Sequence, residues 1–207
     1  ILASLAFGLP LDAEAPVKQG IQSITPEDLE FAASMGYRVK HLGIARRQGD
    51  RVEMRVHPTL IPEQKQLANV DGVLNAIMIK GDAVGELVLV GPGAGGAATA
   101  SAVCADLADI ARTAAGSGPA LGVPMGQLKS QTMVPADDIE SEWYVRLAAS
   151  DCAGVMSDVT QVLANHDVSI ESLLQNPPQE DQATVSIVLL THVASASVMT
   201  AVMQEIT

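Results

Sequence analysis

The sequence predicts an α+β protein with two domains, and three observations lead to this prediction. In the first half, short strand-like segments follow one another as hairpins instead of alternating with helices. In the second half, segments of period 2 and period 3.6 follow in the order β-α-β-β-α. Between the halves, the composition shifts to Gly, Pro and Ser. We therefore expect a domain over residues 1–115, a linker over 116–141 and a second domain over 142–207.

Composition excludes several classes of protein. Of the 207 residues, 48% are hydrophobic and only 2% aromatic, so the cores must be built from aliphatic side chains. The formal net charge is -12, and the densest basic cluster, Arg46–Arg47 with Arg51, is typical of a solvated turn rather than of a nucleic-acid site. No apolar run reaches the roughly 18 residues of a membrane span, and no signal peptide is visible. Cys104 and Cys152 form no CxxC pair, so we expect a cytoplasmic protein.

Both ends of the chain predict interrupted structure. Ile1–Gly8 reads as the second half of an apolar helix that ends at glycine, and no capping residue precedes it. Ser195–Ile206 is an amphipathic helix with no C-cap and no strand after it. We therefore expect the chain to be a piece of a larger protein, with the last strand of its second domain missing.

In the first domain, Thr25–Pro26 predicts a helix start, because Thr can cap, Pro suits the first helical position and two acids follow. Gly36 ends this helix. Tyr37–Ala45 and Val52–Val56 predict two strands joined by a turn. His57–Pro62 predicts a rigid connector.

A second strand pair, Ala76–Ile79 and Glu86–Val90, precedes a helix over Ala98–Thr113. These strands form a hairpin rather than a βαβ unit. The first domain is therefore expected to be a layer of mixed sheet and helices.

The second domain has a simpler order. Trp143–Ala149 alternates as a strand, and the residues after it carry a helical stripe that ends at Asn165–Asp167. Val168–Leu174 and Ala183–Leu189 predict two further strands joined by a polar loop, and Ser195–Ile206 predicts the second helix. This order is a ferredoxin-like βαββαβ unit without its last strand.

A glycine-rich loop lies between a predicted strand and a predicted helix, where Gly91, Gly93 and Gly96 match G-x-G-x-x-G. Bare backbone can approach a phosphate or a cofactor edge, and a helix N-terminus presents free N–H groups. A dinucleotide fingerprint also needs a second parallel strand with an acid about 20 residues later, whereas this strand belongs to a hairpin. Three interpretations remain: a tight packing turn, a backbone contact to a ligand held by another domain, and a dinucleotide site.

The loop Ser150–Val155 joins a strand to a helix in the second domain. Gly154 permits close approach of a ligand, and the amides after it lie at a helix start, which suits a carboxylate. Asp151 can either cap the helix or bind an ammonium group. An amino acid is the small ligand that would use both features.

Other candidate chemistry is sparse. The four histidines are far apart in sequence and near no acid or cysteine in a ligand pattern, and His57 precedes a proline in a rigid turn. Nothing resembles a nucleophile elbow or a metal cluster. The sequence therefore predicts no catalytic and no metal-binding residue in this chain.

Several ordered motifs resemble homoserine dehydrogenase over essentially the whole chain. Ile1–Ala3 resembles the stretch just after that family's catalytic lysine. The motifs of the first domain are Arg55–Pro62, Asp71–Ala76, and Gly91–Gly95 followed by Thr99–Val103. The motifs of the second domain resemble the family's C-terminal ACT domain, and they are Asp151-x-x-Gly154-Val155, Ser169–Ser172 and Gln175.

The resemblance implies an enzyme that interconverts aspartate 4-semialdehyde and homoserine with NAD(P)H, in threonine and methionine biosynthesis. In that family a Rossmann domain holds the cofactor, and the substrate-binding acids and the general-acid lysine precede the helix at Ile1. This chain would then lack both and be inactive alone. Gly91, Gly93 and Gly95 would lie by the nicotinamide end of NADP or NAD. The remaining mixed sheet would cover the active site and build a dimer or tetramer.

For the second domain, the resemblance implies regulation by threonine, bound by Asp151, Gly154 and Val155 together with residues of a neighbouring copy. Ala153 departs from the family pattern, in which proline is common. The chain is therefore either the self-association and regulatory part of an oxidoreductase or a non-enzymatic amino-acid-sensing module. A weaker alternative is a stand-alone dinucleotide binder.

Overall fold

The structure, a computed structural model, describes residues 1–10, 12, 14, 16–112, 128–150, 152–175 and 184–206. These residues form five α-helices and eleven strands in several small sheets, so the predicted α+β class is confirmed. The chain divides into two compact units. The first contains Ile1–Asp12, Met35–Lys40 and Thr59–Ser130, and the second contains Ala13–Ser34, His41–Pro58 and Gln131–Thr207.

The first unit begins with helix α1, Leu2–Phe7, which ends at Gly8 as the sequence predicts. Ser4 is buried under the turn that follows, and its carbonyl oxygen accepts a hydrogen bond of 2.8 Å from the amide of Leu9. Leu9 is 4% exposed, so the chain after the helix is fixed by a buried aliphatic side chain.

Strands β2, Tyr37–Gln48, and β3, Arg51–Pro62, form a long hairpin that supplies residues to both units. The predicted connector at His57–Pro62 is wrong, because β3 continues through it. The carbonyl of Val56 accepts from the amide of Gln19, which lies outside the hairpin, so the backbone polar groups of Val56 point away from β2. Backbone groups alternate sides along a strand, so those of Pro58, two residues later, point away from β2 as well. The missing N–H of Pro58 therefore costs the hairpin no hydrogen bond.

A second hairpin in the first unit pairs β4, Leu74–Gly81, with β5, Gly85–Pro92, in antiparallel register from Leu74↔Pro92 to Gly81↔Gly85. Helix α3, Gly96–Arg112, follows it and has no buried residue. The predicted strands and helix are therefore present. Both strands are longer than the predicted segments Ala76–Ile79 and Glu86–Val90. Most aliphatic side chains of this hairpin are exposed.

The second unit contains a four-stranded sheet in which β1, Val17–Lys18, and β6, Thr132–Met133, both pair in parallel with β3. Helix α2, Pro26–Ser34, lies in the same unit and buries Phe31 and Ala32 to 1% exposure each. The helix start and its end before Gly36 agree with the prediction.

The rest of the second unit has the predicted βαββα order. Strands β8, Tyr144–Ser150, and β9, Ile170–Gln175, both pair antiparallel with the central strand β10, Thr184–Thr191. Helices α4, Val155–Asn165, and α5, Ala196–Ile206, complete the layer. Their core joins Val159, Leu163, Val185, Ile187, Leu189, Met199 and Val202.

The part of the predicted linker that the structure describes is partly ordered by pairing. β7, Glu140–Ser141, pairs with β11, Ala194–Ser195, and the neighbouring Ile139 is 5% exposed. Residues 113–127 lie outside the described part of the chain. The boundaries proposed from composition therefore stay a prediction.

Candidate functional site

The glycine-rich loop is held in place by its backbone. The amides of Gly93 and Ala94 both donate to the carbonyl of Val73, at 2.9 and 3.3 Å. At its other end, Thr99 donates to the carbonyl of Gly95 from its amide at 3.1 Å and from its hydroxyl at 3.0 Å. Hydrogen bonds within the chain therefore fix the loop both to the residue before β4 and to the start of α3.

Gly93 is required by close approach. A Cβ atom at this position would fall inside the side chain of Asn75, which lies opposite Gly91 in the β4–β5 register. A Cβ at Gly91 or Gly96 would meet nothing within 4 Å. The glycines at the ends of the motif therefore leave open space, whereas Gly93 is packed against the sheet.

The surroundings of the loop argue against a self-sufficient dinucleotide site. β5 runs antiparallel to β4, and the contacts described for the loop come from Val73, Asn75 and Thr99. The open backbone at Gly91, Gly95 and Gly96 fits one edge of a cofactor whose remainder is bound elsewhere. Of the three interpretations from the sequence, a packing turn and a contact to an externally held ligand both agree with this geometry.

The predicted amino-acid loop lies between β8 and α4. Gly154 has φ of 103°, in the left-handed region that favours glycine, and it forms the N-cap of α4 without a capping side chain. Its carbonyl accepts from the amide of Asp158 at 3.0 Å, so the helix starts directly after it. Val155 is half-buried beside the core of this layer. Asp151 lies outside the described residues, so its predicted role stays a prediction.

A second polar site joins the start of α2 to β8, and we call it the Asp28 clasp: Asp28 with Thr25, Tyr144 and Arg146. Oδ2 of Asp28 accepts from the amide and the hydroxyl of Thr25, at 2.8 and 2.7 Å. Oδ1 accepts from the Tyr144 hydroxyl and from Arg146 Nε, both at 2.7 Å. Arg146 also donates to Glu27 at 3.3 Å. Asp28 is 4% exposed, whereas the side chain of Arg146 is 28% exposed, so the carboxylate is the buried partner of these bonds.

Electrostatics in the clasp follow from these contacts. Burial alone would raise the pKa of Asp28, but the hydrogen bonds from Arg146, Thr25 and Tyr144 outweigh it and lower that pKa to about 2. Burial, followed by the bond to the Asp28 carboxylate, raises the pKa of Tyr144. The same carboxylate raises the pKa of Arg146. At neutral pH the clasp therefore holds one carboxylate, one guanidinium and one neutral phenol.

Half of this site is predictable from the sequence, because Thr25 is a candidate cap, two acids follow it, and the Thr-x-x-Asp spacing indicates a capping box. The bonds to β8 were not predicted. One signal was available in the sequence. Val145 and Leu147 face the core, so Tyr144 and Arg146 lie on the opposite face of β8. Two polar side chains on that face need hydrogen-bond partners if another element covers it.

A cleft of about 900 Å³ lies beside the clasp in the second unit. Its walls are the first residues of β8, one side of α5 and the loop before α2, and they include Trp143, Met199, Met203, Gln19 and Ser23. Tyr144 and Arg146 also line it, so the clasp is reachable from solvent on one side.

The remaining polar candidates, His57 and the two cysteines, show no arrangement typical of catalysis among the described residues. The Nδ1 atom of His57 lies 2.8 Å from the carbonyl oxygen of Pro58, and burial is the main cause that lowers the pKa of this histidine. Cys104 and Cys152 are both exposed free thiols. Among the described residues, no group of three or more His, Cys, Asp or Glu could hold a metal, and no helix is long and apolar enough to cross a membrane.

Two family profiles match the chain. The profile of homoserine dehydrogenase matches residues 1–108, which include the glycine-rich loop. The profile of the ACT domain matches residues 144–207, which include Gly154 at the start of α4 and both strands that pair with β10.

Curated relatives agree with these matches. The homoserine dehydrogenase of Neisseria gonorrhoeae is 45% identical over 93% of this chain and 45% of its own length. That of Pseudomonas aeruginosa is 42% identical over the same share of this chain, and that of Bacillus subtilis is 34% identical over 100% of it. The chain spans about half the length of the curated relatives it matches.

Solved structures give the same answer for the fold. A homoserine dehydrogenase from Thiobacillus denitrificans superposes with a TM-score of 0.88 at 41% identity, over 99% of this chain and 47% of that one. A homoserine dehydrogenase from S. aureus superposes with a TM-score of 0.65 at 26% identity. The profile over half of the chain, these identities and the shared fold show that this chain belongs to the homoserine dehydrogenase family and carries an ACT domain.

Proposed function

We propose that this chain is the self-association and amino-acid-sensing part of a homoserine dehydrogenase. The parent enzyme would interconvert L-aspartate 4-semialdehyde and L-homoserine in the cytoplasm, in threonine and methionine biosynthesis. The observation that carries the proposal is the hydrogen-bonded glycine-rich loop, which offers open backbone just before α3 in a chain of this family.

In this proposal the loop lies against the nicotinamide end of NADP or NAD. The cofactor supplies hydride transfer to the parent enzyme. Gly91, Gly93 and Gly95 contribute shape and backbone polarity, because Val73 and Asn75 hold the loop from behind. Neither of these side chains can exchange a proton with a substrate at neutral pH. The loop therefore supplies no acid–base group, and the family resemblance assigns that step to a lysine that precedes the residues corresponding to Ile1.

An activity assay tests this division of roles. The 207-residue chain is mixed with homoserine and NADP, and formation of NADPH is followed by absorbance. We expect no turnover, and calorimetric titration with NADP should show no tight binding. Measurable turnover would contradict the proposal, and tight binding of NADP would instead favour a stand-alone dinucleotide binder.

The ACT part is proposed to bind threonine at the start of α4, with Asp151, Gly154 and Val155 as contacts. Support comes from Gly154, because it is the N-cap of α4, has no side chain and has open space where a Cβ would lie. The same observation favours the alternative function, a non-enzymatic amino-acid-sensing module. Titration with L-threonine should release heat in the wild type and not in Gly154→Val, which strains the backbone at this φ. D-Threonine is the matched control ligand, and no heat at millimolar L-threonine would refute sensing.

Self-association, as a dimer or tetramer, is proposed for the β4–β5 hairpin. Cross-strand pairs Ile77↔Leu89 and Ile79↔Leu87 place four aliphatic side chains on one face, each between 44% and 54% exposed. A two-stranded sheet with such a face is marginal in water by itself. The face carries no charge, so two copies can approach there although each chain has a net charge of -12.

Sedimentation velocity tests this interface. Wild type should sediment as an oligomer, and the double variant with Ile77→Lys and Leu89→Lys should be monomeric. Val84→Lys is the control, because Val84 is an exposed aliphatic residue in the turn, outside this face. A monomeric wild type, or an oligomeric double variant, would refute the assignment of this face.

A further inference from the structure

The Asp28 clasp connects two elements that lie far apart in sequence through one buried carboxylate, and the half-buried Glu27 adds a contact of 3.3 Å to Arg146. The two oxygens of Asp28 have mostly different partners: Oδ2 closes the capping box at the start of α2, and Oδ1 accepts the short bonds from Tyr144 and Arg146 on β8. Arg146 also reaches Oδ2 with a longer contact of 3.5 Å. Tyr144 is 116 residues away along the chain and Arg146 is 118 residues away. Any movement of β8 therefore acts directly on the group that caps α2.

Burial makes this connection stiff. Asp28 is 4% exposed and Arg146 presents its guanidinium to it through Nε at 2.7 Å and through Nη2 at 3.5 Å. If β8 moves away, the Asp28 carboxylate loses two donors in a place that water reaches poorly, which is unfavourable. Arg146 is 28% exposed and also contacts Glu27, so the cost falls mainly on Asp28. The ion pair of Lys40 with Asp71 differs, because the Asp71 side chain is 64% exposed and water can replace the lysine.

Each of the two connected elements is followed directly by a segment of interest. β8 ends at Ser150, immediately before the loop that carries Gly154. At the other end, α2 stops at Ser34, and after Gly36 the chain continues directly into β2. The clasp thus lies on the path from the ACT loop to the long hairpin.

We propose that the Asp28 clasp couples the ACT strand β8 to helix α2, so that a change in the ACT part alters the stability of the helix start and of the strand that follows it. Tyr144 and Arg146 are positioning residues in this device, since they act through Asp28. The inference rests on the proposed function only for the trigger, which is amino-acid binding at the loop beside Gly154.

Hydrogen exchange of the 207-residue chain, followed by mass spectrometry, tests the coupling without a ligand. Tyr144→Phe removes one donor from β8 and leaves α2 unaltered in sequence. We expect exchange in α2 to become about tenfold faster, as for the loss of one hydrogen bond to a charged group. Asp28→Asn should reciprocally accelerate exchange in β8, because coupling acts in both directions. Faster exchange in β8 alone, with α2 unchanged in Tyr144→Phe, would overturn the proposal.

Two variants control for general loosening. Glu30→Gln changes an exposed carboxyl of α2 to an amide, and Arg51→Gln removes an exposed arginine that lies 3.9 Å from Asp138 in the same unit. Neither should change exchange in β8 or α2. Arg146→Lys keeps the charge but loses the two-pronged contact, so it should give an intermediate effect in α2.

A second arm adds L-threonine and separates this inference from the proposed function. With binding, wild type should gain protection in the ACT loop and in α2, whereas Tyr144→Phe should gain it in the loop alone. Equal gains in α2 for both proteins would overturn the coupling. If wild type shows neither heat nor protection with threonine, sensing is refuted, and the ligand-free comparison of Tyr144→Phe with wild type still decides the coupling.

Discussion

Replacing Asp28 by Asn tests the physical account of the second unit most directly. The substitution keeps the size of the side chain and an oxygen that can accept from Thr25. It removes the negative charge, and its amide nitrogen faces Arg146, which has only donors, while the Tyr144 hydroxyl can turn to accept from it. We therefore expect the folded state to lose the stabilisation that the carboxylate receives from its donors.

The magnitude follows from the pKa of this carboxyl, which falls from 3.8 to about 2 on folding. By linkage, such a shift corresponds to about 2 kcal/mol of stability at neutral pH. Because the folded pKa is the lower one, this stabilisation is complete above the unfolded pKa of 3.8 and is lost as the pH falls toward 2. At pH 3 the difference between wild type and Asp28→Asn should shrink to roughly half.

The single tryptophan provides the assay. Trp143 precedes β8, and its indole N–H donates to the carbonyl of Ala194 at 3.0 Å, so its fluorescence reports on the second unit. Urea unfolding at pH 7 and pH 3 gives the free energy of unfolding for wild type, Asp28→Asn and the control Glu30→Gln. A loss below about 0.5 kcal/mol at pH 7, the scale of an ordinary surface substitution, would refute the reasoning. An equal loss at both pH values would refute it as well.

Two further substitutions test packing. Gly93→Ala should lower the melting temperature, because the new Cβ overlaps Asn75 and such overpacking costs about 1–3 kcal/mol; Gly91→Ala, with open space around it, should not, and equal melting temperatures would contradict this packing. Leu163→Ala should lower the free energy of unfolding by about 2–5 kcal/mol, because Leu163 is 2% exposed in the core of the ACT part. Its control is Leu29→Ala, which removes a side chain that is 49% exposed, and a similar loss in both variants would disprove the assigned core.

Local signals predicted most of the elements. The start of α2 was predictable, because the cap, the proline and the acids all lie within one turn. The βαββα order was predictable, because its strands alternate and its helices carry stripes that face one shared core. The end of β3 was not, because Pro58 is unfavourable in a strand unless its missing N–H points away from the partner strand. That direction depends on which strands lie on either side.

The candidate sites divide in the same way. The glycine-rich loop was visible as a motif, and the antiparallel strand before it already argued against a dinucleotide fingerprint. Its anchoring to Val73 and the exclusion of any side chain at Gly93 depend on the tertiary structure. The threonine site at Gly154 stays a prediction, since Asp151 lies outside the described residues.

The sequence alone determined the class of fold, the order of most of its elements, the family and the position of the glycine-rich loop. These properties are encoded over a few neighbouring residues, in periodicity, caps and glycines, and can be read without knowing which segments meet. Only the tertiary structure decided that Asp28 serves a helix and a distant strand at once. Such a contact depends on two segments more than 100 residues apart being buried together, and no local pattern encodes the distance between them.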